Sequence, residues 1–203
     1  MNSLIWIDAQ GNLPKTDLDA TNDPRRYMKL HLFNIDLSKS GGEVMKEEAT
    51  TKPGKSISPV YDSPVGKTGS QICFDLRYPE PAIRLRREGA QIITYPSAFT
   101  YATGAMGHWE ILLRARAIES QCYIFAAAQC GRHNKGRVSY GDSMIVDPRG
   151  QILGRLSKVE DAEAEKENSR EPELLVIDID LEEIKVAREA IPLARRTDVY
   201  AEI

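Results

Sequence analysis

One cysteine of the sequence stands where a nucleophile could work. Cys73 closes an apolar run, and polar residues and a helix-starting proline follow at once over residues 75–79. A side chain at such a strand end lies at the lip of a sheet, and a thiol there reacts efficiently near neutral pH when a cation or a base assists it. The N–H of Phe74 could then stabilise an oxyanion. The segment therefore indicates a thiol nucleophile, with an inert core cysteine as the alternative.

The other cysteines and the histidines indicate no further reactive centre. Cys122 and Cys130 lie in apolar stretches and are expected to be core residues. The cysteines form no Cys-x-x-Cys pair, and His31, His108 and His133 are far apart in the sequence. We therefore predict no metal site and no cofactor. The odd, irregularly spaced cysteines favour a reducing compartment, either the cytoplasm or the mitochondrial matrix after loss of a targeting signal.

Composition limits the class of protein and its partners. The chain has 203 residues, of which 41% are hydrophobic and 28% charged, enough for one sizeable core, so we predict a single domain over residues 1–203. A formal net charge of −3 provides no basic field for phosphates, which counts against nucleic acid as a partner. No apolar run approaches the roughly 20 residues that span a bilayer, so no membrane partner is predicted.

The elements that must position Cys73 follow an alternating pattern. Apolar strands alternate with amphipathic helical stretches between residues 67 and 119, which is typical of an α/β fold. No Gly-x-Gly-x-x-Gly or P-loop motif follows any strand, which counts against a nucleotide-binding α/β domain. Predicted strands cover residues 2–8, 27–33, 71–74, 91–95, 123–128, 143–146, 151–156 and 174–179, and predicted helices cover residues 79–88, 108–121 and 181–190.

Two polar segments interrupt this pattern. Residues 14–24 carry aspartates and an Asn-Asp-Pro sequence without apolar periodicity, and we interpret them as an insertion. Residues 159–172 are acidic and nearly free of apolar residues, which predicts a mobile surface loop. Neither segment is expected to contribute to the core.

Several motifs resemble those of the nitrilase superfamily of carbon–nitrogen hydrolases. Residues 69–80 (GSQICFDLRYPE) resemble its nucleophile motif, and residues 27–33 (YMKLHLF) resemble the motif of its catalytic lysine. Matching runs continue in order at residues 95–100, 108–119, 126–133, 139–141 and 191–200. The set is most similar to the Nit subgroup, whose members include deaminated glutathione amidase and ω-amidase.

The resemblance implies a mechanism. Cys73 would attack the carbonyl carbon of a small-molecule amide such as deaminated glutathione, releasing ammonia and leaving a thioester that water hydrolyses. Lys29 and the backbone N–H of Phe74 would stabilise the oxyanion. Glu47 matches the family's second active-site glutamate, which orders the lysine. The alternative for Glu47 is an exposed acid in a charged loop.

The resemblance also implies how a substrate binds. Arg77 matches the arginine that holds a substrate carboxylate in the subgroup, and Phe99 and Thr103 would line the same pocket. The guanidinium fork suits a carboxylate, although a surface salt bridge is the alternative reading. Residues of the helix at 108–121 are expected to have structural roles: His108, Arg114, Arg116 and Glu119.

The implied fold is a nitrilase-type α-β-β-α sandwich, formed by a homodimer that pairs through the helix at 108–121. The family's first strand–helix–strand unit, which carries the general-base glutamate, has no counterpart in this sequence, so we predict a domain that is incomplete at its N-terminus. We expect this chain to hydrolyse amides poorly, and the alternative function is a catalytically impaired binding protein. Asp142 and Arg149 depart from the subgroup, which usually has His and Trp there.

Overall fold

The computed structural model describes residues 1–11, 26–36, 38–40, 44–162, 165–167 and 170–201. The predicted insertion at 14–24 lies outside the described residues, and so does part of the acidic segment 159–172. In the described residues no helix is long and apolar enough to cross a membrane. The strands are β1 Ser3–Ile5, β2 Arg26–Met28, β3 Asn34–Asp36, β4 Val44–Lys46, β5 Tyr61–Ser63, β6 Gly66–Ser70, β7 Ile92–Thr94, β8 Tyr123–Ala126, β9 Cys130–Asn134, β10 Arg137–Tyr140, β11 Met144–Val146 and β12 Ile152–Arg155, and the α-helices are α1 Pro79–Arg87, α2 Tyr101–Ala105, α3 His108–Ser120 and α4 Glu182–Ala190.

A mixed six-stranded sheet forms the centre of the fold, in the order β12-β11-β8-β7-β6-β5. β6, β7 and β8 run parallel, whereas β5, β11 and β12 are antiparallel to their neighbours. The carboxyl ends of parallel strands meet at one edge of a sheet, where α/β proteins place their ligand sites. The residues that follow β6, β7 and β8 therefore converge at one end of the sheet.

The two faces of the sheet bury different sets of side chains. Ile93 and Ile124 lie in the large core with residues of α1 and α3, whereas the alternate residues Ile92 and Tyr123 cluster with Ile184 of α4 on the other face. The large core contains Leu76, Ala82, Leu85, Ala90, Ile93, Tyr95, Phe99, Trp109, Leu113, Ala117, Cys122, Ile124, Ala126, Tyr140, Met144 and Val146. The predicted α/β class is confirmed, and the loss of a first strand–helix–strand unit stays a prediction.

Three two-stranded ribbons accompany the sheet: β1 with β2, β3 with β4, and β9 with β10. The β9–β10 ribbon is fixed to the segment after β7, because the Tyr140 N–H donates to the Phe99 carbonyl and Ser139 forms a β-bridge with Thr100. This ribbon and α2 were not predicted. Their packing places β10 beside the residues that line the site described below.

The strand predicted at residues 27–33 is wrong beyond Met28. The structure ends β2 at Met28. The Lys29 N–H still donates to the Asn2 carbonyl beside β1, but the N–H groups of His31 and Phe33 bond to side chains instead of a neighbouring strand. The His31 N–H donates to an Asp75 oxygen at 2.9 Å, and the Phe33 N–H donates to a Glu47 oxygen at 2.7 Å. The carboxylates of Asp75 and Glu47 therefore accept backbone hydrogen bonds that the predicted strand would have made with a neighbouring strand.

Two other strand predictions need correction. Residues 71–74 are not a strand, because β6 ends at Ser70 and Cys73 begins the 3-10 helix Cys73–Arg77. Residues 174–179 form no strand with any of the described residues, although Leu175, Ile177 and Ile179 are half-buried and the residues between them are exposed. The strand predicted there is therefore wrong.

The predicted helices agree with α1, α3 and α4 to within one residue at either end. The charged residues of α3 form ion pairs, with Arg114 bonded to Glu110 and Arg116 to Glu119.

The two residues that depart from the subgroup, Asp142 and Arg149, both have ionic partners in the structure. Asp142 is buried and accepts two bonds from Arg155, and Arg149 forms an exposed ion pair with Glu183 at 3.0 Å.

Gly104 in α2 provides a test of the packing that holds β10 in place. A Cβ atom on Gly104 would lie 2.6 Å from Cβ of Tyr140 and would also overlap its ring. We expect Gly104→Ala to lower the free energy of unfolding by about 1–3 kcal/mol, because this overlap outweighs the gain of roughly 0.5–1 kcal/mol from replacing a helical glycine. Chemical denaturation measures the change.

The control variant is Gly136→Ala, whose Cβ would meet its nearest atom at 3.8 Å. That variant should change stability by less than about 0.5 kcal/mol. Equal stabilities of the two variants would contradict the packing of α2 against β10.

Candidate active site

A buried ion pair lies at the centre of the site. Lys29 follows β2 and Glu47 follows β4, and their Nζ and Oε2 atoms are 2.6 Å apart, with the two side chains 3% and 19% exposed. Glu47 also accepts bonds from the Phe33 N–H and from Asn2 Nδ2. Burial disfavours the charged carboxylate, but the bonds from Lys29, Phe33 and Asn2 together hold the pKa of Glu47 below its usual value. Glu47 is therefore a fixed carboxylate that is bonded to Lys29.

Cys73 is held in a strained conformation at the end of the parallel strands. Its φ is 47°, in the left-handed region that non-glycine residues rarely adopt. The Cys73 N–H donates to the Pro96 carbonyl, and the Ser97 N–H donates to the Ala127 carbonyl, so the parallel ladder continues past the ends of β6, β7 and β8. Such strain costs on the order of 1–3 kcal/mol and persists where surrounding bonds enforce it.

The pKa of Cys73 results from opposing influences. Burial raises the pKa of the thiol and dominates the outcome. The cation of Lys29, the N–H of Ala98 and the hydroxyl of Ser97 lower it, and the Glu47 carboxylate raises it. The enclosure of the sulfur thus outweighs the influence of Lys29.

The buried carboxylate of Asp75 joins the lysine segment to the cysteine turn. Oδ2 accepts bonds from the Tyr27 hydroxyl at 2.8 Å and the Ile72 N–H at 3.0 Å. Oδ1 accepts from the His31 N–H and lies 2.8 Å from His31 Nδ1. The residues on both sides of Lys29 are thus tied to the turn that carries Cys73.

Arg77 forms one wall of the site. Its guanidinium carbon lies 5.8 Å from the ring centroid of Phe74 and 5.7 Å from that of Phe99, within cation–π range. One nitrogen is 3.5 Å from Nδ1 of His108. No carboxylate of the described residues pairs with Arg77, so a surface salt bridge is not its role there. The two aromatic rings flank the guanidinium of Arg77, which can bind an anionic group.

One cavity brings these groups together. Its volume is about 810 Å³, large enough for a small-molecule ligand. The cavity is lined by every residue that the sequence predicted for the site: Lys29, Glu47, Cys73, Phe74, Arg77, Phe99 and Thr103. Their proximity is thus a structural fact, and their individual roles stay predictions. No group of three or more potential metal ligands occurs in the part of the chain that is described.

The sequence of the chain matches the Carbon-nitrogen hydrolase family over residues 1–189. The chain belongs to the carbon–nitrogen hydrolase family. The chain is 49% identical over 178 residues to "Probable hydrolase nit2" of Schizosaccharomyces pombe, which covers 88% of this chain and 60% of that relative. It is 45% identical over 179 residues to the mouse deaminated glutathione amidase, covering 87% of this chain and 51% of that relative.

Structural similarity agrees with this membership. The crystal structure of the Caenorhabditis elegans NitFhit protein superposes with a TM-score of 0.77 and 40% identity, covering 98% of this chain and 43% of that chain. This carbon–nitrogen hydrolase chain therefore has the nitrilase-type fold. It spans between half and three fifths of the length of the two curated relatives described above.

Sequence reasoning missed several residues of this carbon–nitrogen hydrolase site. Asp75 is buried in the nucleophile motif, two residues after Cys73, where a charged residue among apolar neighbours was the available signal. Asn2, which bonds to Glu47, gave no signal in the sequence. Lys46 and Arg137 also line the cavity. Both lie in short strands that were not predicted, so the sequence gave no indication that they face the cavity.

The influence of Lys29 on Cys73 can be measured by alkylation. We expect iodoacetamide to modify Cys73 first, because Cys73 lines a cavity whereas Cys122 is fully buried. The prediction that Cys130 is a core residue was wrong, because Cys130 is only partly buried at the start of β9. Lys29→Met should slow modification of Cys73 at pH 7 by about tenfold, because losing the cation raises the pKa of the thiol further. Peptide mass spectrometry over time gives both rates.

The matched control is Lys67→Met, which removes an exposed lysine of β6 that does not line the cavity. Its rate should equal that of the parent chain. Earlier labelling of Cys122 or Cys130, or an unchanged rate in Lys29→Met, would contradict the assignment.

Proposed function

We propose that the chain hydrolyses the carbon–nitrogen bond of small carboxylate-bearing amides, with Cys73 as the nucleophile. The observation that carries this proposal is the single cavity in which Cys73, the Lys29–Glu47 pair and Arg77 meet. The relatives named nit2 and deaminated glutathione amidase support the same reaction class. Deaminated glutathione is therefore the first substrate to test.

The first chemical step forms a thioester. The Cys73 sulfur attacks the amide carbonyl carbon, the carbonyl electron pair moves to oxygen, and the thiol proton passes to a base. Collapse of the tetrahedral intermediate re-forms the carbonyl and breaks the carbon–nitrogen bond, and the departing nitrogen takes up a proton. The leaving group is ammonia from a primary amide, but it is a peptide amine from deaminated glutathione, so the expected release of ammonia does not apply to that substrate.

The second step releases the acid. Water attacks the thioester carbonyl carbon, loses a proton to a base, and expels the Cys73 sulfur, which regains its proton. In both steps a negative oxygen develops, and Lys29 and the N–H of Phe74 are the donors we assign to it. Phe74 supports this role because its N–H lies in the first turn of a 3-10 helix, where backbone donors lack partners within the helix.

Arg77 is assigned to the substrate carboxylate. Its planar fork can donate two parallel hydrogen bonds, and the flanking rings of Phe74 and Phe99 restrict its orientation. Thr103 supports this pocket from α2, where its hydroxyl lies 2.7 Å from that of Thr100. A carboxylate bound here would place the acyl group of the amide beside Cys73, four residues earlier in the chain.

A second function is favoured by one observation on the same cavity. Among the described residues that line it, Glu47 is the only carboxylate, and Lys29 already holds it. A separate general base for the thiol and for water is thus lacking among these residues. Loss of such a base typically slows a reaction by about 10²–10⁴-fold. The alternative is therefore a binding protein of the same family with little turnover.

A hydrolysis assay separates the two functions. We expect slow release of the amine from deaminated glutathione by this chain, abolished by Cys73→Ala because the nucleophile is gone. A version extended by the upstream segment of a relative should be about 10²–10⁴-fold faster, since that segment would supply the base. The assay follows the free amine and the thioester intermediate by mass spectrometry.

Equal turnover by the two versions would show that the described residues already supply the base, and would remove the binding-protein alternative. Absence of turnover by the extended version, despite native-like unfolding behaviour, would contradict the proposed reaction. Undiminished turnover in Cys73→Ala would contradict the assigned nucleophile.

We also propose a reducing compartment, either the cytoplasm or the mitochondrial matrix. The thioester route requires a free thiol at Cys73, and Cys73, Cys122 and Cys130 are all free. No disulfide is needed for the packing of the described core. This compartment keeps the nucleophile available.

We propose that the chain forms a homodimer through α3. Ile111 and Ile118 lie seven residues apart on its outer face and are 63% and 51% exposed. Light scattering at micromolar concentration should give twice the chain mass of 22.7 kDa. Ile111→Asp with Ile118→Asp should give the single-chain mass, because two charges would be buried in the interface.

The control for this substitution is Val65→Asp, which places a charge on another exposed apolar residue, 53% exposed. It should stay dimeric. A monodisperse single chain in the parent protein would contradict the dimer.

A further inference from the structure

The ionisable residues lining the cavity carry an excess of positive charge. They comprise four cations, Lys29, Lys46, Arg77 and Arg137, and one carboxylate, Glu47, in a chain whose formal net charge is −3. Lys29 and Glu47 neutralise each other through their 2.6 Å ion pair. Three cations remain, and none of them pairs with a carboxylate in the described ranges. A substrate with one carboxylate would balance only one of them.

Arg137 enters the cavity from a different element than Arg77. β10 begins at Arg137 and is fixed at its other end, where the Tyr140 N–H donates to the Phe99 carbonyl. The nearest anchor is the bridge between Ser139 and Thr100, two residues from Arg137, or about 7 Å along the strand. The backbone of Arg137 is therefore separated from the segment that carries Phe99, although Arg137 and Arg77 line the same cavity.

We propose that Arg137 forms a second anion-binding subsite, which holds a carboxylate on the amine side of the substrate amide, so that the preferred substrates are dicarboxylates. This rests on the proposed function, in which Arg77 holds the acyl-side carboxylate and Cys73 contacts the reacting carbon. With those two points fixed, the amine portion extends from Cys73 away from Arg77. Arg137 is the cation displaced from that pocket along β10.

The role of Lys46 differs from that of Arg137. Lys46 adjoins Glu47 and is an exposed strand residue, so its compact ammonium adds positive potential without a fixed geometry. Arg137 presents a planar fork that matches a carboxylate. Deaminated glutathione has the predicted chemistry, since one carboxylate lies on its acyl side and another at its terminal glycine.

The test measures binding to the full chain in the Cys73→Ala background, which prevents turnover. The two probes are deaminated glutathione and the same molecule with its glycine carboxylate converted to a carboxamide, and isothermal titration calorimetry gives their dissociation constants. Arg137→Gln is compared with Lys135→Gln, which removes an exposed charge from the same turn but does not line the cavity. Arg77→Gln tests the pocket assigned to the acyl-side carboxylate.

We expect the carboxamide to bind about three- to tenfold more weakly than deaminated glutathione, because it lacks one charge-assisted contact. Arg137→Gln should weaken deaminated glutathione by the same factor and leave the carboxamide within about twofold. Lys135→Gln should change neither affinity, and Arg77→Gln should weaken both. Added salt should narrow the difference between the two probes, because Arg137 is exposed.

The outcomes separate this inference from the proposed function. Suppose that Arg77→Gln weakens the binding of both probes. If Arg137→Gln then weakens the binding of neither probe, or of both probes equally, the Arg137 subsite is wrong and the Arg77 subsite stands. If neither probe binds to the parent background, the proposed function falls and the second subsite with it. Thermal unfolding of Arg137→Gln checks that a loss of affinity reflects the lost charge and not a damaged ribbon.

Discussion

The hydrogen bonds of Asp75 are the constraint on which the site depends. This fully buried carboxylate binds the hydroxyl of Tyr27, the backbone and ring of His31, and the N–H of Ile72. Lys29 lies between two of these partners, and Cys73 follows the third. Breaking a buried charged interaction typically costs about 3–5 kcal/mol, so the lysine segment is held firmly against the cysteine turn. The Lys29–Glu47 pair then fixes the direction of the cation.

The site combines a rigid frame with an unfavourable local state of its nucleophile. The frame is the parallel part of the sheet, extended by bonds from Cys73 to Pro96 and from Ser97 to Ala127. Within it, Cys73 has a left-handed backbone and a thiol whose pKa is raised by burial. The raised pKa opposes formation of the reactive thiolate. Lys29 and the N–H of Ala98 act in the opposite direction.

Sequence patterns predicted the features that depend on residues close together in the chain. They missed the features that depend on contacts between distant residues. The amphipathic spacing of α1, α3 and α4 and the motifs around Cys73, Lys29 and Arg77 were sufficient for the fold class and the group of residues lining the cavity. The irregular path after Met28 was missed because side-chain carboxylates take its N–H groups. Likewise, the net direction of the Cys73 pKa depends on how completely the fold encloses the sulfur, which no local pattern specifies.

The bonds of Asp75 also determine the stage of folding at which Lys29 comes to lie beside Cys73. They join residues 44 and 48 positions apart in the chain, and the Lys29–Glu47 bond joins residues 18 positions apart. Closing such long loops is an entropic cost that a folding chain meets only after local elements and the central sheet provide compensating contacts. Cys73 therefore lacks its neighbouring cation during synthesis and early folding. The thiol gains that electrostatic assistance, together with the burial that raises its pKa, only as the native topology closes.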